Sequence, residues 1–151
     1  MRAVVQRVLR ASVSSGTSPS RDIDVGLLLL LGIAEEDSDE DAGYLVNKIL
    51  NLRVFPDDRS DFQYSVQDIN GEILTVSQFT LHANCRKGRR PDFSAAADTC
   101  EAKHLYQHSV DLFRESGLKV EVGFFGEHMR VDLVNDGPVT IILDSADRHR
   151  S

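Results

Sequence analysis

Five consecutive leucines, Leu27–Leu31, stand between Gly26 and Gly32. The run is far too short to cross a bilayer as a helix, which takes about 20 apolar residues. It is also short for a globular helix, and glycines bound it on both sides. It therefore reads as a β-strand buried on both faces. A chain of 151 residues has room for one domain with a substantial core around such a strand.

The rest of the chain supplies the neighbours of that strand. Residues 2–13 read as a first strand, with Val5 and Arg7 on one face and Val4, Gln6 and Val8 on the other. Ser14–Asp24 is rich in Ser, Gly, Asp and Pro and predicts a loop or a poorly formed hairpin. The acidic stretch Glu35–Asp41 opens a first helix, with Ser38 and Asp41 at capping-box spacing. Ala42, Leu45, Val46, Ile49 and Leu52 form its inward stripe. Arg53–Phe55 reads as a short strand, Pro56–Asp61 as a polar turn, and Ile73–Thr80 as a strand after the Asn70-Gly71 turn. Arg86–Ala97 is a loop. Asp98 and Glu101 cap a second helix with the stripe Ala102, Leu105, Tyr106, Ser109, Leu112 and Phe113, and Gly117 ends it. Val120–Phe124, Met129–Val134 and Val139–Leu143 read as three further strands, the last two separated by a turn at Asp136-Gly137.

About seven strands and two main helices without βαβ alternation predict an α+β fold. Its sheet is expected to be mainly antiparallel, or a small open barrel. A single domain is expected over residues 1–145, with 146–151 as a frayed tail.

The net charge of −7 argues against a protein that coats duplexes. Against that acidic background, Arg86, Lys87, Arg89 and Arg90 around Gly88 form one dense basic cluster, suited either to solvation or to phosphate contacts. Cys85 and Cys100 form neither a disulfide framework nor a CxxC motif, and they read as reduced thiols of a cytoplasmic protein. The opening residues read as a strand and not as a signal peptide. The chain has no P-loop and no GxGxxG, which argues against nucleotide-triphosphate and dinucleotide chemistry.

Ser77 and Thr80 place hydroxyls at the end of an apolar strand. Either can attack a substrate or orient one, but no GxSxG elbow accompanies them. The plainer alternative is that both satisfy backbone groups at the strand end. Cys100, His104 and His108 recur at helical spacing, as two zinc ligands on one face would. Their position beside the apolar stripe instead suits a solvated face. In Gly137-Pro138, glycine allows close backbone approach to a ligand, and the following bond is of the type that can be cis.

Together these residues resemble a known family, the D-aminoacyl-tRNA deacylases, also called D-tyrosyl-tRNA deacylases. The likeness runs nearly end to end, through Met1–Val8, Lys48–Arg53 and Gly71–Leu74. It includes two signature motifs, SQFTL at 77–81 and NxGPVT at 135–140, and Arg86–Pro91 follows the family pattern.

The resemblance implies hydrolysis of the ester joining a D-amino acid to the tRNA 3′ end, with leakage toward glycyl-tRNA, and no cofactor or metal. It implies a homodimer in which the SQFTL strand of one subunit meets a cis Gly-Pro turn of the other. Ser77, Gln78, Phe79 and Thr80 would carry the chemistry. Gly137 and Pro138 would hold the α-ammonium through their carbonyls, with Arg7 locking the turn. Phe125 and Met129 would line an adenosine pocket, and Arg86, Lys87, Arg89 and Arg90 would reach acceptor-stem phosphates. Two mechanisms fit the family: attack by Thr80, or water activated by the terminal ribose 2′-hydroxyl. A protein of another class, binding nucleic acid through residues 86–90 without turnover, is the alternative.

The chain departs from the family pattern in two places. Ser14–Gly26 lacks the alternating valines of the usual hairpin, which predicts a looser hairpin, with Pro19 barring a central-strand role. Glu127-His128 replaces smaller or apolar residues.

Overall fold

The structure, a computed structural model, describes residues 1–150. The elements in chain order are β1 (Arg2–Ser14), β2 (Arg21–Ile23), β3 (Gly26–Gly32), α1 (Asp39–Asn51), β4 (Glu72–Ser77), α2 (Thr99–Glu115), β5 (Val120–Val122) and β6 (Arg130–Asp144). The strands form one sheet in the order β2-β1-β3-β4-β5, and β6 pairs with β1. The pairings of β1 with β2, β3 and β6 are antiparallel, whereas β3–β4 and β4–β5 are parallel. The sheet is thus mixed and nearly closed into a barrel, and the α+β expectation holds.

The five leucines sit at its centre, with β1 on one side and β4 on the other. A period of two divides them. Leu27, Leu29 and Leu31 pack with α1 and α2, while Leu28 joins Val8, Val13, Ile23, Leu74 and Val76 in a second core on the opposite face. Within β1 the face changes along the strand. Ala3 and Val5 pack toward the helices, whereas Val8, Ala11 and Val13 pack in the second core. The irregularity between Val8 and Arg10, where β1 carries one residue more than β6, produces this switch, because one extra residue exchanges the two faces.

The helices start where the capping residues predict. The Asp41 carboxylate accepts from the Ser38 N–H at 2.9 Å, and Asp98 accepts from the N–H groups of Cys100 and Glu101. Gly117 closes the second helix with a φ of 81°.

Four expectations need correction. Arg53–Phe55 is not a strand: Phe55 only bridges Tyr64, which completes a small loop closure. The strand read over Ile73–Thr80 ends at Ser77, and Phe79–His82 turn into a 3₁₀ helix. The two strands expected on either side of Asp136-Gly137 are one strand, β6, because β1 is long enough to pair with both halves. The chain does not reverse there, and with Arg53–Phe55 lost and β2 gained, six strands result instead of seven. The tail expected to fray over 146–151 is ordered as far as it is described. Ser145–His149 form a 3₁₀ turn, and Arg148 Nη1 lies 2.9 Å from Glu40 Oε2 on α1. Ser151 lies outside the described residues.

The hairpin after β1 forms, but with a second arm of only three residues paired at the sheet's edge, past Pro19. Among the described residues, no helix is long and apolar enough to cross a membrane.

Candidate active site

The end of β4 and the 3₁₀ turn after it open onto a cavity of about 650 Å³. Ser77, Gln78 and Phe79 line one side, and Phe125, Glu127, His128 and Met129 line the facing side. Phe93 and Ala96, from the long loop before α2, line it as well. The structure thus brings together Ser77–Phe79 with Phe125 and Met129, the two groups expected at the site. Thr80 stands just outside the lining, exposed on the turn, and its hydroxyl accepts a hydrogen bond from the Gln78 amide.

Phe79 is 55% exposed, unusual for a phenylalanine two residues beyond a buried strand. It packs edge-on against Phe93, with ring centroids 5.0 Å apart. On the facing side, Phe125 lies 5.7 Å from the ring of Tyr106. The Tyr106 hydroxyl donates to the carbonyl of Thr75 at 2.8 Å. Burial pushes the Tyr106 pKa up to about 12. This side chain is a fixed neutral strut between α2 and β4.

The basic cluster sits on a loop pinched shut by Asn84 and Asp92, whose main chains exchange hydrogen bonds of 2.7 and 3.0 Å. Arg86, Lys87, Arg89 and Arg90 are all exposed at its tip, where Gly88 takes a φ of 70°. Phe93 follows the pinch directly, so the charged tip and one cavity wall belong to the same loop. In the sequence Phe93 is marked only by being the one aromatic residue of the loop 86–97.

The Gly137-Pro138 turn is built at the far side of β1. Gln6 pairs with Thr140 and Val8 with Asn135, so residues 136–139 stand opposite Arg7 alone and bulge out of the ladder. The peptide bond between Gly137 and Pro138 is cis. Arg7 is 7% exposed, and its guanidinium donates to the carbonyls of Asp136 at 2.8 Å, Val54 at 2.7 Å and Asp61 at 3.3 Å. Its charge is matched by Asp136 Oδ2 at 3.6 Å. Asn135 braces the other side, accepting from the Val139 N–H at 2.7 Å and donating to its carbonyl at 3.2 Å. Gly137 and Pro138 are left exposed.

Neither Gly137 nor Pro138 lines the cavity. Within one chain, Arg7 and the turn form one assembly, and Ser77–Phe79 with Phe125 and Met129 form another. Cys100, His104 and His108 do not gather. Among the described residues, no three His, Cys, Asp or Glu side chains are placed to hold a metal ion. A smaller cavity of about 310 Å³, lined by Arg10, Asp22 and Asp132 among others, contains none of the expected residues.

A two-helix, nearly closed mixed sheet with a cavity at the end of its central parallel strands defines a deacylase-type fold. The structure matches that of a probable eukaryotic D-amino acid tRNA deacylase with a TM-score of 0.84, over 94% of this chain and 97% of the other. At 16% identity that likeness concerns the fold alone. A solved c-Myc DNA unwinding element binding protein matches with a TM-score of 0.89 and 44% identity, over 95% and 98% of the two chains. The chain is 56% identical to the D-aminoacyl-tRNA deacylase of Aquifex aeolicus, covering 96% of this chain and 98% of the relative. It is 54% identical to that of Caldicellulosiruptor saccharolyticus, covering 96% and 97%. The family model described as D-Tyr-tRNA(Tyr) deacylase matches residues 4–144, and the chain belongs to this family.

Proposed function

We propose that the chain hydrolyses the ester of D-aminoacyl-tRNA and so removes D-amino acids from tRNA in the cytoplasm. The observation that carries this reading is the Arg7-anchored turn. Three carbonyls take up the buried guanidinium, and the two carbonyl-bearing residues beside it, Gly137 and Pro138, face solvent outside the ladder. Carbonyl oxygens are acceptors only, so such a turn suits an ammonium group.

In this reading the turn of one subunit enters the cavity of a second. Support comes from the separation of the two assemblies within one chain and from Ile142, which stands 74% exposed on β6 beyond the turn. The α-ammonium is held by the Gly137 and Pro138 carbonyls, and the ester lies against Ser77–Phe79. With two substituents of the α-carbon fixed, hydrogen and side chain become distinguishable. An L side chain meets main chain, whereas a D side chain points to open space. Exclusion by backbone works for many side chains at once, and glycine, having none, escapes it.

The N–H groups of Phe79 and Thr80 open a 3₁₀ turn and have no main-chain acceptor among the described residues, which suits them to a developing oxyanion. The Thr80 hydroxyl has an amide donor and no base beside it. An amide N–H cannot take the threonine proton, so attack by water assisted by the ribose 2′-hydroxyl is the better-supported mechanism. Phe125 and Met129 pack the terminal adenosine, and Arg86, Lys87, Arg89 and Arg90 meet acceptor-stem phosphates.

The test is single-turnover release from matched D- and L-tyrosyl-tRNA, with a D substrate ending in 2′-deoxyadenosine alongside. Release from the D ester alone supports the reading, and its loss with the deoxy terminus supports RNA assistance. Release from neither ester by a folded dimer overturns the reading.

A further inference from the structure

The wall of the cavity that carries Phe125 and Met129 has little support from the sheet. β5 pairs with β4 only over Val120–Val122, and the last bond along that edge is the Gly123 N–H to the carbonyl of Thr75 at 2.8 Å. From Phe124 to Met129 the chain runs free of any strand before β6 begins. Its internal braces are the Glu127 N–H on the carbonyl of Phe124 at 3.1 Å and the Phe124 N–H on Met129 Sδ at 3.2 Å.

The β1–β2 hairpin supplies what is missing. Arg21 Nη1 donates to the carbonyls of Val122 at 2.8 Å and Gly123 at 3.2 Å. The same guanidinium lies over the Phe124 ring, 4.0 Å from its centroid. At the other end of the segment, Ser15 Oγ lies 2.6 Å from Glu127 Oε2 and 2.9 Å from the carbonyl of His128. One short hairpin thus grips the free segment at both ends.

We propose that Arg21 is a positioning residue for the substrate's terminal nucleoside: through Val122–Phe124 it sets where Phe125 and Met129 stand, with Ser15 fixing the other end of the wall. The inference rests on the deacylase reading. Arginine suits the task because one planar group bonds two carbonyls and stacks on a ring, while lysine offers a point charge without the plane. The hairpin itself does not depend on Arg21, since its core anchor is the buried Ile23. Loss of Arg21 therefore loosens the wall and spares the fold.

The test is single-turnover release from D-tyrosyl-tRNA as a function of enzyme concentration, for wild type, Arg21→Ala, Arg21→Lys and Ser15→Ala. Amide hydrogen exchange of the same proteins without substrate accompanies it. Arg21→Ala is expected to raise the half-saturating concentration about tenfold and to leave the maximal rate within about twofold. Arg21→Lys should fall between, and exchange should quicken over 123–129 but not in β3 or α2. An unchanged half-saturating concentration, or a loss confined to the maximal rate, overturns the proposal. So does faster exchange spread evenly through β1 and β3, which marks a merely structural role. A wild type that releases no D-amino acid fells the deacylase reading, and the nucleoside role with it. That result is distinguishable because the exchange comparison needs no substrate.

Discussion

Arg7 Nε donates to the carbonyl oxygen of Asp136 at 2.8 Å, so a β1 side chain holds the residue immediately before the Gly137-Pro138 turn. The same guanidinium holds Val54 and Asp61, tying the turn to the loop after α1.

Arg7→Ala strips three carbonyls of their donor and leaves the turn without its anchor. Hydrogen bonds from charged donors contribute about 1.5–3 kcal/mol each, so with three lost a stability loss of about 4–5 kcal/mol or more is expected. A turn displaced by an ångström costs about a hundredfold in rate. Denaturant titration and single-turnover release measure the two effects separately.

Gly137→Ala tests the turn with the Arg7 side chain retained. A Cβ there would stand 2.9 Å from the Val139 nitrogen and 3.2 Å from Arg7 Nη2, at a φ of 142° that side chains rarely adopt. The expected stability loss is about 1–3 kcal/mol. D-ester release should fall about a hundredfold as the turn shifts. A variant with wild-type release would show that the turn takes no part in the reaction.

Thr80→Val removes the hydroxyl and keeps the branched shape. With water as the attacking group, release should stay within about tenfold of wild type. A drop of about ten-thousandfold in the same assay would instead identify Thr80 as the nucleophile.

Changing Arg86 and Arg89 together to Gln should leave the maximal single-turnover rate unchanged. The log–log dependence of half-saturation on salt should become shallower by about 1.5, as expected for two lost phosphate contacts. An unaltered salt slope would place the loop away from the tRNA.

Tyr106 predicts an alkaline limb in stability. Its hydroxyl titrates at 10.0 when unfolded and at about 12 when folded. A raised folded pKa gives stability that is complete below pH 10 and is lost as pH rises toward 12. The loss amounts to about 3 kcal/mol at the top of that window. Tyr106→Phe should flatten the limb in thermal melts from pH 9 to 12, at a cost of about 1 kcal/mol at neutral pH for the lost bond to Thr75.

Elements with a local cause were legible in the sequence. The five leucines, the capping residues Ser38 and Asp98, and the stop at Gly117 each act within a few positions of themselves. What escaped depends on partners far along the chain. Asp136-Gly137 has the chemistry of a reversing turn, and only the length of β1 keeps both flanks in one strand. Thr80 extends an apolar alternation by pattern, yet the chain turns at Gln78, whose N–H ends the strand on the carbonyl of Leu31. Arg21 lies in a stretch that reads as loop, and its partners Val122 and Gly123 are about a hundred residues away in sequence. The tail from Ser145 is held by α1, which no local pattern announces.

The bulge of β6 has a consequence for how such a protein can change. Residues 136–139 stand opposite Arg7 alone, and the strand on either side is registered independently. Leu133 packs in the second core, and Ile141 and Leu143 pack in the helix-side core. The selective turn is therefore an inset between two separately moored flanks. Its length and composition can drift while the frame keeps its alignment, so selectivity and architecture are free to evolve at different rates.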